Sequence, residues 1–150
     1  MFGLIRKREK PQRDRLLQDF ARVIMRLRGA NEFIQSSVGR SINIANSLLI
    51  QRFGSAEGFR AASDEKKGQY IGNLARANEH FAQRWPTTAI GFSLFRMWLE
   101  ALTEEDEALA QHFSRGLAAL SARNGGGAYS FAIVNSPKIS ARPPSMLIAA

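Results

Sequence analysis

His80 and His112 are the only histidines in this chain and therefore its first candidates for ligand binding or proton transfer. Imidazole binds haem iron and divalent metals, and it exchanges protons near neutral pH. Each histidine precedes a phenylalanine of a predicted apolar stripe, so each lies at the flank of its helix face. Neither has a carboxylate three residues before it, as helical di-iron sites require. We interpret both as boundary residues and keep a haem or lipophilic-ligand site as an alternative.

Four consecutive acidic residues, Glu104, Glu105, Asp106 and Glu107, could bind a divalent cation or act in acid–base catalysis. We predict instead that Thr103 starts the last helix and that the four acids occupy its first turn. Negative charge there offsets the helix dipole by ~0.3–1 kcal/mol for each residue. Thr103 and Asp106 also have the spacing of a loose capping box. The cluster therefore needs no metal to explain it.

Other catalytic patterns are missing from the sequence. The chain contains no cysteine, which excludes disulfides, thiolate metal ligands and cysteine nucleophiles. The glycine-rich run from Asn124 to Gly127 follows a predicted helix and lacks the lysine of a phosphate-binding loop. There is no Gly-x-Ser-x-Gly nucleophile motif. The sequence thus predicts a non-enzymatic protein with no cofactor or metal, and the absence of cysteine agrees with a cytoplasmic location.

Positive charge is concentrated at the start of the chain. The first 28 residues hold nine basic and three acidic residues, a net +6 of the chain's +8. An apolar tip precedes the basic run, which suits contact with phosphates, anionic lipid or an acidic protein face. The candidate partner-binding residues are Arg6, Lys7, Arg8, Lys10, Arg13 and Arg15, and the candidate apolar anchors are Phe2, Leu4 and Ile5.

The spacing of apolar residues predicts an all-α fold, a compact bundle of about five helices. The predicted helices cover 12–28, 31–53, 63–85, 87–102 and 103–123, with a short helical turn over 55–62. Pro86 should end the third of these, because the residue before a proline is pushed out of helical geometry. The domain boundaries follow: a basic N-terminal arm over 1–10, a helical domain over 11–124, and an irregular Gly/Pro-containing C-terminal tail over 125–150.

The predicted helix over 87–102 is apolar nearly all round. This pattern favours a helix at the centre of the core over a helix with an apolar face that a partner covers. The helix before it should carry a core stripe that continues through Phe81 to Trp85. We expect the core to be shared by eight residues that have a common helical phase within their segments. They are Phe20, Leu27, Leu74, Phe81, Phe95, Trp98, Phe113 and Leu117.

These observations favour a small adaptor, chaperone-like in kind, that engages an acidic macromolecular partner through its basic arm and an apolar helix face. A protein is the favoured partner. The positive charge would also suit a nucleic acid or an anionic membrane surface. RNA-reading motifs with interleaved aromatic residues are absent, which disfavours sequence-specific RNA binding. The alternatives are a charge-driven nucleic-acid-binding protein and a helical haem or lipophilic-ligand protein that uses His80 or His112. Self-association to a homo-oligomer is also left open.

Overall fold

The computed structural model of the protein describes residues 10–122, and within them it contains helices and no strand. The helices are α1 (Lys10–Arg28), α2 (Glu32–Phe53), α3 (Ala56–Ala61), α4 (Asp64–Arg84), α5 (Pro86–Thr103) and α6 (Glu107–Ser121). The predicted all-α fold is confirmed, with five long helices and the short helical turn as α3. Residues 1–9 of the predicted arm over 1–10 and the whole predicted tail over 125–150 lie outside the described residues.

Side-chain caps begin several of these helices where the sequence places a short polar residue. Asn31 Oδ1 accepts a hydrogen bond from the Ile34 amide at 2.9 Å, and Ser63 Oγ accepts one from Lys66 at 3.2 Å. At the other end of α2, Gly54 has a φ of 86°, a left-handed conformation that glycine adopts without a steric penalty. These signals divide the chain into helices short enough to pack around one core.

Helix α5 is the centre of the bundle. It packs against α2 and α4, and also against α6 and α1, and ten of its residues are buried. Leu94, Phe95 and Leu99 have no exposed surface. The predicted central position of this apolar helix is therefore correct, and α5 itself offers no large apolar face to a partner.

Small residues allow α2 and α5 to approach closely. A Cβ atom built on Gly91 of α5 would lie 2.5 Å from Ser41 Cβ and 2.9 Å from the Val38 carbonyl oxygen of α2. Both distances are shorter than real Cβ atoms tolerate, so only glycine fits here. The small residues in the middle of α2 therefore permit this close contact with α5.

The junction between α5 and α6 differs from the prediction. Thr103 does not start α6; it ends α5, and its hydroxyl donates to the Leu99 carbonyl at 2.9 Å. Asp106 is the N-cap of α6, where its Oδ1 accepts from the Leu109 amide at 3.1 Å. The four acids therefore do not share one first turn. The prediction failed because two candidate cap residues, Thr103 and Asp106, stand close together, and the observed cap is Asp106, whose side chain is buried.

The apolar stripe of α4 also differs from the prediction, because its residues become less buried toward the C-terminal end of the helix. Tyr70 and Leu74 are buried, Phe81 is only partly buried, and the side chain of Trp85 is 48% exposed. The other predicted core residues are buried as expected. The C-terminal half of α4 thus presents apolar surface that no described helix covers.

Candidate binding groove between α2 and α4

A groove runs between α2 and α4, with α5 as its floor. Both helices pack extensively on α5 but not closely on each other. The space between them has a volume of about 670 Å³. Its lining combines aliphatic and aromatic side chains with three polar ones: Ile44, Leu48, Gln51, Arg52, Tyr70, Asn73, Leu74, Ala77, Phe81 and Phe92. We call this space the α2–α4 groove.

The walls of the α2–α4 groove are apolar and partly open to solvent. Ile44 and Leu48 lie four residues apart on α2 and are 49% and 43% exposed. Ala77 and Phe81 have the same spacing on α4. The rings of Phe81 and Phe92 meet edge to face with their centroids 5.6 Å apart. Two apolar ridges therefore face each other across a floor that is fixed by the core.

Polar donors line the groove on both helices, with Gln51 and Arg52 on α2 and Asn73 on α4. The guanidinium of Arg52 lies 5.9 Å from the centroid of the Tyr70 ring. Among the described residues, Arg52 has no carboxylate partner, and no carboxylate lines the groove. The side-chain oxygen of Asn73 accepts a hydrogen bond from Arg76, which leaves the Asn73 amide hydrogens as donors. The lining of the groove thus carries one positive charge and no negative charge.

Tyr70 forms the boundary between the polar end and the core. Its side chain is buried, and its hydroxyl has no hydrogen-bond partner among the described residues. Burial raises the pKa of this hydroxyl above its ordinary value, while the nearby positive charge of Arg52 opposes the increase. The Phe53 and Phe59 rings hold Tyr70 in place, with centroids 5.2 Å and 6.2 Å from its own.

The two histidines are not brought together. His80 is exposed, and its ring contacts the neighbouring Phe81. His112 is exposed on α6, where its ring lies 6.0 Å from that of Phe20. No group of three or more metal-binding side chains occurs within residues 10–122. His80 is not among the residues that line the α2–α4 groove.

The structure describes only part of the predicted basic surface. Phe2, Leu4, Ile5 and Arg6, Lys7, Arg8 lie outside the described residues, and only the backbone of Lys10 is described. Arg13 Nε donates to Asp106 Oδ2 at 2.7 Å, an ion pair that joins α1 to the N-cap of α6. Arg15 is exposed. Of the described candidates, Arg13 is thus engaged within the fold, and Arg15 remains on the surface.

Arg15 lines a second, smaller cavity of about 320 Å³ between α1 and α5. Its charged lining residues are two arginines, Arg15 and Arg96, and two carboxylates, Asp19 and Glu100. Arg96 lies 2.7 Å from Glu100, and Asp19 lies 3.0 Å from Arg22, which does not line the cavity. Because these charges compensate each other locally, the cavity has no preference for one sign of ligand.

Sequence reasoning missed the α2 wall of the groove. Ile44 and Leu48 are out of phase with the buried series Val38, Ile42 and Leu49 of the same helix. At about 100° per residue, Ile44 and Leu48 lie on a separate face. That phase difference is the signal that could have identified them.

Comparison with protein-family models, with curated proteins and with solved structures finds no match to this chain. None of the helices within residues 10–122 is both long and apolar enough to cross a membrane.

Proposed function

We propose that this protein is a non-enzymatic adaptor that holds an apolar helical segment of an acidic protein partner in the α2–α4 groove. The observation that carries the proposal is the pair of half-exposed residues Ile44 and Leu48 opposite Ala77 and Phe81. The apolar face of the adaptor is therefore built by α2 and α4, not by α5. The basic residues of the N-terminal arm supply attraction to the same acidic partner.

The length of the groove suits a helix. Ile44 and Arg52 are separated by eight helical residues, about 12 Å, and Tyr70 and Phe81 by about 16 Å at 1.5 Å per residue. A partner helix of two to three turns has this length and presents apolar anchors at i, i+3, i+4 and i+7. A helix of this length can contact the apolar residues of both walls of the groove.

Covering the groove is energetically favourable. Full burial of a leucine or isoleucine side chain stabilises by roughly 1.5–3 kcal/mol. Ile44 and Leu48 retain nearly half of their accessible surface, so each has roughly half of that gain left for a partner to realise. The groove also needs little rearrangement, because its floor belongs to the packed core.

Affinity capture with three versions of the full chain tests the proposal. The versions are the natural protein, Leu48→Asp and the control Ser47→Asp, which adds the same charge at an exposed position outside the groove. We expect a specific protein to be retained by the natural chain and by the control and lost from Leu48→Asp. The purified captured protein should then show the same order in a direct titration. Equal retention by all three versions would exclude the groove as the binding face.

A further inference from the structure

One cation stands among the residues that line the α2–α4 groove, and it is Arg52. Arg52 is exposed, and like the exposed Arg15 and Arg40 it has no carboxylate partner among the described residues. Its position distinguishes it, because it lines the groove and contacts the ring of the buried Tyr70. Its guanidinium hydrogens are therefore free to bind an acceptor that the described part of the chain does not supply.

The surroundings of Arg52 add donors and no negative charge. Gln51 and Asn73 both line the groove, and the Asn73 oxygen is already occupied by Arg76. Asn73 and Arg52 both line the groove and both carry N–H donors that a carboxylate can accept. The rest of the lining toward Phe81 and Phe92 is apolar. The groove is thus chemically asymmetric along its length.

We infer that Arg52, with Asn73, selects and orients the occupant of the groove: an amphipathic protein helix with a glutamate or aspartate at the end that lies beside Arg52. This inference rests on the proposed function, because it specifies which helices the groove prefers. A helix with a polar, uncharged end binds more weakly. A helix with a basic end is repelled by Arg52.

Two synthetic helical peptides test this selectivity on the full-length protein. Both have leucines at i, i+3, i+4 and i+7, and they differ only in carrying glutamate or glutamine at their ends. We expect the natural protein to prefer the glutamate peptide by about twofold to fivefold, as for a partly exposed ion pair. The preference should shrink at high salt, because salt screens exposed charges.

Variants of α2 assign the preference to Arg52. Arg52→Gln should bind both peptides equally, whereas Arg52→Lys should keep part of the preference because it retains the charge. Arg40→Gln is the matched control, since it removes an exposed arginine of the same helix that does not line the groove. Circular dichroism should show the same helical content for all three variants, because both arginines are exposed.

The outcomes separate this inference from the proposed function. Binding of both peptides with equal affinity by the natural protein, or loss of the preference in Arg40→Gln, would overturn the role of Arg52 and leave the groove as a binding site. Failure of both peptides to bind, or binding unaffected by Leu48→Asp, would overturn the proposed function itself and the inference with it.

Discussion

The two sides of α2 show how the same kind of residue serves two purposes. On one side α2 packs against both α5 and α6, and Leu49 there has no exposed surface. On the other side α4 stands away from α2, and Leu48 is 43% exposed in the α2–α4 groove. The two leucines are adjacent in sequence, yet one belongs to the core and the other to the candidate binding surface. Helical phase, not hydrophobicity, decides between them.

The largest contrast should come from placing the same charge on each side of α2. Leu49→Asp puts a carboxylate with no partner into the core, which costs several kcal/mol and is comparable with the whole stability of a small domain. Leu48→Asp leaves the carboxylate in contact with solvent and should cost about 1–2 kcal/mol, from lower helix propensity and from loss of the part of the leucine side chain that is already buried. Urea unfolding followed by circular dichroism measures both changes. Similar losses from the two variants would mean that the groove is part of the closed core.

Truncating one aromatic residue of the core and one of the groove should give a smaller difference in stability loss than the two aspartate variants. Trp98→Ala should destabilise by ~3–5 kcal/mol, because this side chain is almost fully buried in α5. From sequence, Phe81 was expected to be as costly to truncate. Since Phe81 is only partly buried at the edge of the groove, Phe81→Ala should cost less, about 1–2 kcal/mol. Thermal unfolding of both variants gives the comparison, and a Phe81→Ala cost equal to that of Trp98→Ala would contradict it.

The close contact between α2 and α5 can be tested with a pair of glycines. Gly91→Ala should destabilise by about 1–3 kcal/mol, because its methyl group meets Ser41 and the Val38 carbonyl. Gly68→Ala on α4 meets nothing within 4 Å and should stabilise by up to about 1 kcal/mol through helix propensity. Chemical denaturation of the two variants should therefore show effects of opposite sign. A stabilising Gly91→Ala would mean that the two helices are not in close contact.

The smallest expected effect concerns Tyr70 at the boundary between core and groove. Because its pKa is raised in the folded state, the folded protein binds the hydroxyl proton more tightly than the unfolded chain does. The stability that this proton contributes is complete below the ordinary tyrosine pKa of about 10 and is lost as the pH rises through the higher folded value. Tyr70→Phe should remove this dependence and change stability little at neutral pH, since the described residues give the hydroxyl no hydrogen bond to lose.

To test this expectation, the free energy of unfolding of the natural protein and of Tyr70→Phe is measured across an alkaline pH series. The difference between them should be constant below about pH 9 and should widen in favour of Tyr70→Phe at higher pH. A constant difference throughout would show that the Tyr70 hydroxyl is not buried.

Most of the fold could be predicted from sequence because its signals are local. Apolar periodicity, the Asn31 and Ser63 caps, Gly54 and Pro86 mark the helices within a residue or two of their observed ends. The cap of α6 could not be chosen locally, since Thr103 and Asp106 both suit the role and tertiary contact with Arg13 favours Asp106.

The candidate groove could be predicted only in part. The partial burial of Phe81 and the exposure of Trp85 depend on how far α4 stands from α2, and that distance is set by packing on α5. Arg52 gave no signal in the sequence, because an arginine on a helix surface is ordinary until the residues around it are known. The roles of Arg6, Lys7 and Arg8 and of His80 and His112 stay predictions.

Chemical-shift mapping by NMR tests the central claim most directly. The glutamate-ended peptide is titrated into isotopically labelled full-length protein, and the residues whose amide signals move are identified. We predict that the largest changes fall on the two walls of the groove, at Ile44, Leu48, Arg52, Asn73 and Ala77, while Leu117 on α6 stays unchanged. Changes confined to α1 or α6, or no change at a peptide concentration that saturates binding in the titrations, would contradict the assignment of the α2–α4 groove as the interaction surface.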